Sequence, residues 1–344
     1  MEGTIEGVDV TRVTGWFEEH VPAVKPPLAF DLIAGGHSNL TFGVRDEANG
    51  HWVLRRPPLG QVLATAHDMS REHTIISALG PTDVPVPPTV GLCTDESVNG
   101  APFYVMEFVD GLVVRDAKAA QQLTPEQRGR AGESIADTLA LIHAVDPDAV
   151  GLGSLGRKEG YIARQLKRWY AQWESSKTGD MPAIDEVHDR LQAATPDQGP
   201  ASIVHGDYRL DNCMISREGD VLAVLDWELC TLGDPMADLG LLMVYWAEST
   251  GERTALPGAA TATEGFPSRK EVLARYSERS GRDVSGIDFY VAFAYWKLAC
   301  ILQGVYSRYA GGAMGHGGGA DTFQGFADQV QALTDAAGDA IERI

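Results

Sequence analysis

The chain has 344 residues, with 28 Lys plus Arg against 48 Asp plus Glu, for a formal net charge of −20. Such an acidic balance excludes a general nucleic-acid binder, which needs a clustered positive face, and an anionic membrane surface as a main partner. An apolar share of 44% and a charged share of 22% belong to a folded globular protein with a core large enough for two domains or one two-lobed domain.

The first twenty residues are acidic and lack a basic stretch followed by an apolar run, so no signal peptide is expected. The longest apolar stretches, such as 239–247, are too short to span a bilayer, and a cytoplasmic protein is the expectation. Val10, Val13, Trp16 and Phe17 share one face of a helix expected over 10–22. Pro26 and Pro27 then break the pattern. From 28 the runs become β-like: LAFDLIAGG enters a Gly-rich turn, and 40–45 with 51–56 read as a hairpin closed by EANGH. Residues 67–79 read as a helix stopped by Gly80-Pro81. A Pro-rich connection over 84–88 leads to strands near 89–94 and 102–108.

Composition shifts at Asp110-Gly111. Beyond it Thr124-Pro125-Glu126 supplies an N-cap and a proline at the first helical position. The helix expected over 124–145 places Ile135, Leu139, Ile142 and Val145 at helical spacing. Further helices are expected over 158–175 and 183–193, and short β-like runs at 202–205, 212–216 and 221–226. Helices resume after 234, interrupted near 250–266 and by the glycine-rich loop 311–319. The organisation is therefore α+β: a β-rich part over 1–109, a connection near 105–111, and a larger helical part over 110–344. Cys93, Cys213, Cys230 and Cys300 form no CxxC pair. They read as buried small hydrophobes rather than a disulfide framework or zinc site.

The segment 203–238 carries the chemistry, in IVHGDYRLDNCMI, VLAVLDWE and LGDPMADLG. His205, Gly206, Asp207 and Asn212 follow a short apolar run with Asp-x-x-x-x-Asn spacing. Asp226 ends an alternating strand 14 residues beyond Asn212. Phosphoryl transfer asks little of a protein: one carboxylate to orient the attacking hydroxyl, and an amide oxygen with a second carboxylate to hold a metal against the phosphates. Asp207, Asn212 and Asp226 are of the right type and order. In the turn over 34–39, Gly35, Gly36, Ser38 and Asn39 offer backbone N–H groups to anionic oxygen, although no Walker Lys-Ser/Thr follows.

HGDYRLDN together with LDWE resembles the aminoglycoside phosphotransferase and choline kinase superfamily, which shares the protein-kinase-like fold; the resemblance covers about residues 30–330. Gly206 in place of the HRD arginine, and Trp227-Glu228 after the metal aspartate, point to the small-molecule branch. The resemblance implies a small antiparallel-sheet N-lobe that binds ATP and a larger, mainly helical C-lobe. It implies Asp207 as the hydroxyl-positioning base, Asn212 and Asp226 as Mg2+ ligands, and His205 as a brace of the catalytic loop. Asp234 and Asp238 would brace loops, and Glu228 is a candidate for the substrate side. The strand over 51–56 would send a cation to the phosphates, with arginine where the superfamily usually has lysine. Strand alternation allows Arg55 or Arg56 but not both, and Arg55 fits the pattern better. Glu72 would pair it, with Glu47 an alternative acid in the turn. Residues 104–111 resemble the hinge, where adenine would meet backbone groups of Glu107 and Val109, and Met106 reads as core.

The acceptor is less legible. Aromatic residues at 289, 293 and 296 recur at helical spacing and read as core; Arg308 either binds an anion or caps its helix. VLRRPP, LDWELCTLGDPMADLG and LQGVYSRYAGG are similar to a branch of kinase-like domains fused to, or neighbouring, acyl-CoA dehydrogenases. That implies a hydroxylated acyl thioester or similar small alcohol as acceptor, and a functional association with an acyl-CoA dehydrogenase. Two alternatives stand beside it. One is an aminoglycoside acceptor. The other is a pseudokinase-like nucleotide-binding regulatory module, supported only by the lysine-to-arginine departure and opposed by the complete Asp207, Asn212 and Asp226 set.

Overall fold

Asp9 starts the first helix by accepting the Arg12 N–H on its carboxylate, the capping role that short polar side chains fill best. In the computed structural model, residues 5–34, 39–60, 67–248, 255–256, 258–310 and 320–344 are described. The chain divides into two compact units, Met1–Gly111 with Leu222–Leu229, and Leu112–Val221 with Cys230–Ile344.

The first unit runs α1 (Val10–His20), β1 (Ala29–Ala34), β2 (Leu40–Arg45), β3 (His51–Arg56), α2 (Met69–Leu79), β4 (Thr89–Cys93), α3 (Glu96–Asn99) and β5 (Phe103–Glu107). Its strands form an antiparallel five-stranded sheet in the order β1-β2-β3-β5-β4. The β2–β3 hairpin spans the expected residues, with Arg45 opposite His51 and Leu40 opposite Arg56. Asp46 shapes its turn by accepting the Ala48 and Gly50 N–H groups at 2.9 and 2.7 Å, a local side-chain-to-backbone pattern that favours turns over strand. The expected face of α1 is the buried one: Trp16 meets Phe103 edge-on at 5.1 Å, and Phe17 meets Trp52 at 5.8 Å. Each such ring, fully buried, contributes about 1.5–3 kcal/mol.

The second unit, with β8 as its border, runs α4 (Ala117–Ala120), α5 (Pro125–Ala144), α6 (Tyr161–Ser176), α7 (Pro182–Ala193), β6 (Ser202–Val204), β7 (Cys213–Ile215), β8 (Val221–Val224), β9 (Thr231–Gly233), α8 (Met236–Tyr245), α9 (Arg269–Ser280), α10 (Ile287–Ala310) and α11 (Ala320–Ile341). Helix α5 opens on a complete capping box between Thr124 and Gln127. Helix α6 begins at 161 rather than the expected 158, because Gly160 takes φ 60°. Residues 222–224 of β8 group with the first unit, where the Val224 N–H donates to the Pro85 carbonyl at 2.8 Å. Phe289, Phe293 and Trp296 are core residues, as their spacing suggested. All four cysteines are buried and none is in a disulfide. Among the described residues no helix is long and apolar enough to cross a membrane.

Helix α8 is buried on every side from Met236 to Val244, which explains its unbroken apolar pattern. Its Gly240 lets α10 come close, since a Cβ there would stand 2.6 Å from the Tyr290 backbone. Glycine to alanine inside a helix ordinarily gains roughly 1 kcal/mol. Here Gly240→Ala should instead destabilise by about 1–3 kcal/mol, the usual cost of overpacking. Urea unfolding of the two proteins measures the sign.

Candidate active site

In the second unit, β6 delivers the chain into the turn His205-Gly206-Asp207, and Asp238 of α8 holds that turn from below. Its buried carboxylate accepts the His205 N–H at 2.6 Å and the Gly206 N–H at 2.8 Å. His143 stands 3.4 Å from the same carboxylate and 2.7 Å from the Tyr276 hydroxyl. Burial alone would raise the Asp238 carboxyl; the His143 hydrogen bond, the nearby histidines and the Gly206 amide outweigh it and hold the group below its ordinary value. Gly206 takes φ 86°, a conformation that costs side-chain-bearing residues but not glycine. Its carbonyl accepts the buried Lys297 ammonium of α10 at 3.2 Å. Both ends of this peptide are therefore held by charge, and the side chain of Asp207 projects where the turn directs it.

Asp207 is 27% exposed, and its contacts fall on one oxygen. The Asn212 amide donates to Asp207 Oδ2 at 2.9 Å and to its backbone carbonyl at 2.8 Å. The Arg209 Nε donates to Oδ2 at 3.3 Å. Asp207 Oδ1 has no hydrogen-bond partner among the described residues, and neither has the Asn212 amide oxygen. The His205 Nδ1 accepts the Asp207 N–H at 3.3 Å, a bracing contact. Asp234 likewise braces, taking the Met236 N–H at 3.0 Å and the Tyr290 hydroxyl at 2.7 Å.

In the first unit, Arg55 of β3 sits between two carboxylates. Its Nε is 3.1 Å from Glu72 of α2, an ion pair whose geometry falls short of an aligned hydrogen bond. Its Nη2 donates to Asp226 Oδ1 at 2.5 Å. Burial opposes the guanidinium charge, but Glu72, then Tyr104, Asp226 and Glu228 outweigh it and hold Arg55 further above its usual range. Glu72, 1% exposed, is pushed up to about 7, by burial first; Arg55 pulls it down and Asp226 pushes it up. The two shifts differ because one guanidinium serves two carboxylates, so Glu72 receives only a share of it. Asp226 itself takes φ 63°, the left-handed region that non-glycine residues occupy mostly where a site constrains them.

The neighbouring Arg56 turns elsewhere, buried and donating to the carbonyls of Gly7 at 2.6 Å and Asn99 at 3.1 Å. Asn39 joins the Arg55 side of the unit through Glu228, donating to Oε2 at 3.2 Å and meeting His67 Nδ1 at 2.8 Å. Gly35, Gly36 and Ser38 lie outside the described residues, as does the 311–319 loop. At the end of β5 the Glu107 N–H is taken by the Pro88 carbonyl at 2.8 Å and the Phe108 N–H by His51 at 3.2 Å. The Val109 N–H has no backbone partner among the described residues. Met106 is buried.

Three residues of this site escaped the sequence. Arg209 and His67 lacked a signal, one being the variable part of a motif and the other an isolated histidine before α2. Lys297 had one: a single lysine inside the apolar run FAYWKLAC must be paired or pay for its burial. Among the described residues, no group of three or more His, Cys, Asp or Glu side chains gathers as a metal cage. Taken separately, the Asn212 amide oxygen of the second unit and the Asp226 carboxylate of the first are hard oxygen donors of the kind Mg2+ accepts.

Known proteins resemble the chain in sequence and in fold. The profile of the family described as phosphotransferase enzyme family matches residues 30–272. Mouse acyl-CoA dehydrogenase family member 10 is 38% identical over 79% of this chain, and human member 11 is 34% identical over 87%. The chain spans only 26% and 38% of those two proteins. A solved structure of a provisionally named aminoglycoside phosphotransferase from Ralstonia eutropha JMP134 superposes with a TM-score of 0.81, at 34% identity, covering 97% of this chain and 98% of that one. The macrolide 2'-phosphotransferase MphH from Brachybacterium faecium, at 21% identity and a TM-score of 0.58 over 92% of this chain and 97% of that one, shares the fold. With the family profile matching residues 30–272, and 34% identity to a phosphotransferase structure over 97% of its length, the chain belongs to the phosphotransferase enzyme family.

Proposed function

We propose that the chain transfers the terminal phosphoryl group of ATP to a hydroxyl of a small molecule. The observation that carries this reading is the asymmetry of Asp207, with Oδ2 clamped by Asn212 and Arg209 and Oδ1 open. An open, fixed carboxylate oxygen is what an attacking hydroxyl needs. As the new O–P bond forms, the hydroxyl proton passes to Asp207 and the bond to the ADP oxygen breaks. Arg55, held by Glu72, is assigned to the phosphates, and Glu107 and Val109 backbone groups to adenine. Gly35, Gly36, Ser38 and Asn39 are assigned to phosphate cradling, and His205 to bracing. Asn212 and Asp226 would hold Mg2+, whose charge, when bound, screens the phosphate oxygens. In this reading residues 1–109 bind the nucleotide and 110–344 supply the base and the acceptor pocket.

The acceptor proposed is a hydroxylated acyl thioester. The names of the relatives in the acyl-CoA dehydrogenase families support it, as they support a functional association with such a dehydrogenase. The name of the Ralstonia protein favours a second reading, an aminoglycoside acceptor. An acceptor screen scored by ADP release separates the two, with hydroxyacyl thioesters, aminoglycosides and amino alcohols as arms. ADP release should require both acceptor and magnesium, and ATP affinity should fall at least tenfold in excess EDTA, a difference of roughly 1.4 kcal/mol. Equal ATP affinity with the metal chelated, and no acceptor-dependent release in any arm, would contradict the proposal.

A further inference from the structure

Adjacent residues of a strand face opposite ways, so β3 presents one arginine to each side of the first unit's sheet. Arg55 meets two carboxylates. Arg56 makes no ion pair among the described residues, although it is only 6% exposed. Its Nη1 donates to the Gly7 and Asn99 carbonyls at 2.6 and 3.1 Å, and its Nε to the Pro57 carbonyl at 3.2 Å. Nη2 has no hydrogen-bond partner among the described residues, so part of the guanidinium's donor capacity is unspent. Burial draws the group below its ordinary value, and no neighbouring charge opposes that pull. A buried charge is costly unless it is paired.

Arg56 lines a cavity of about 1070 Å³ that lies wholly within the first unit, bounded by the segment before α1, the first turn of α1, the start of β1 and α3. The guanidinium is fixed there by backbone. Gly7, whose carbonyl it holds, also accepts Asn99 Nδ2 at 3.3 Å, and Asn99 Oδ1 takes the Asp9 N–H at 2.9 Å. A role as a cross-link of these segments accounts for Nε and Nη1. It accounts neither for Nη2 nor for the cavity. Val8, Leu28 and Phe30, all buried, give the lining an apolar side. The lining acids Glu6, Asp9 and Glu96 are exposed. They would repel a multiply charged anion, and Asp9 is already engaged by the Arg12 N–H and guanidinium.

We propose that this cavity is a second ligand site of the first unit and that it takes a single carboxylate on an apolar body, with the carboxylate on Arg56 Nη2 and the body against Val8, Leu28 and Phe30. A carboxylate supplies the missing counter-charge in charge-assisted hydrogen bonds, and one negative charge is all that the acidic surroundings tolerate. The site faces away from Arg55 and stands whether or not the chain transfers phosphate.

Octanoate, octan-1-ol and octylamine share a chain and differ only in the head group, and their binding to the full chain is followed by ligand-observed NMR. Octanoate should bind at least about tenfold more tightly than the other two. Arg56→Met keeps an apolar stem without the charge. It should weaken octanoate by about tenfold or more and leave octan-1-ol within about twofold, whereas a merely structural loss would weaken both alike. Thermal melting shows whether Arg56→Met folds as the wild type does. If it does not, Thr11→Glu decides. Thr11 is an exposed residue of the lining in the first turn of α1, where an acid suits the helix. That variant should weaken octanoate about threefold or more and leave octylamine equal or tighter. Saturating Mg-ATP should leave octanoate affinity unchanged. Octanoate bound no more tightly than the alcohol, no binding of octanoate up to ~5 mM, a preference that survives the deciding variant, or displacement by Mg-ATP each overturns the site.

Discussion

Asp207→Ala is expected to lower acceptor-dependent ADP release by about 10²–10⁴-fold, the range a positioned base contributes, and to leave the protein folded. The two halves of this expectation have separate physical grounds. Activity should fall because the neighbouring acids are engaged otherwise: Asp211 is ion-paired with Arg209, and Asp238 is filled by the two backbone amides and His143. The fold should survive because Asp207 is 27% exposed and its side chain supports only Asn212 and Arg209, which water can satisfy in its place. Asp207→Asn is the sharper test. It can still meet Arg209 with its amide oxygen, but it cannot take a proton from the hydroxyl. Both variants should keep near-normal ATP affinity, measured by fluorescence-detected titration, with kcat carrying the loss. Wild-type kcat in either variant would remove Asp207 from the chemistry. A loss confined to KM for ATP would reassign it to nucleotide binding.

How legible the molecule was from its sequence depended on how local each signal was. The β2–β3 hairpin, the capped start of α5 and the buried face of α1 were legible because each rests on neighbours a few residues apart: the Asp46 turn, the Thr124–Gln127 box, the spacing of Val13, Trp16 and Phe17. The HGD and LDW turns were legible because phosphoryl transfer restricts residue type and order. The choice between Arg55 and Arg56 stayed open, since alternation says that one faces each way but not which partner waits on either side. Their partners are distant residues: Glu72 and Asp226 meet Arg55, while the carbonyls of Gly7 and Asn99 take Arg56. Lys297 reaches the Gly206 carbonyl across 91 residues of sequence, a pairing that no local pattern encodes. The short α3 and α4 were missed because four residues hold barely one turn of helix.

The ion pair of Arg55 with Glu72 should leave a thermodynamic signature that needs no substrate. Glu72 has an ordinary value near 4.5 and is pushed up to about 7 in the folded protein, with burial the leading cause. Between those values the folded state holds a proton that the unfolded state has released. Stability therefore falls as pH rises from about 4.5 to 7, by at most roughly 3 kcal/mol across the window. Glu72→Gln carries no titrating group there, and its unfolding free energy should lack this component of the slope in urea melts at pH 5, 6 and 7. Arg55→Met acts the other way. It removes the main group pulling Glu72 down, leaving only the Tyr104 hydrogen bond, while Asp226 still pushes it up, so the window extends above pH 7, and at pH 8 a buried carboxylate without its cation remains. Breaking a buried pair from one side costs about 3–5 kcal/mol. The double variant Arg55→Met with Glu72→Gln should recover a large part of that loss, because no buried charge is then left alone. Additive losses in the double variant would show that the two side chains act independently. The same cycle bears on phosphate binding: Glu72→Gln should weaken ATP affinity less than Arg55→Met, since it loosens the guanidinium without removing it. ATP affinity unchanged in Arg55→Met would take Arg55 out of the nucleotide site and leave the pair a purely structural element of the first unit.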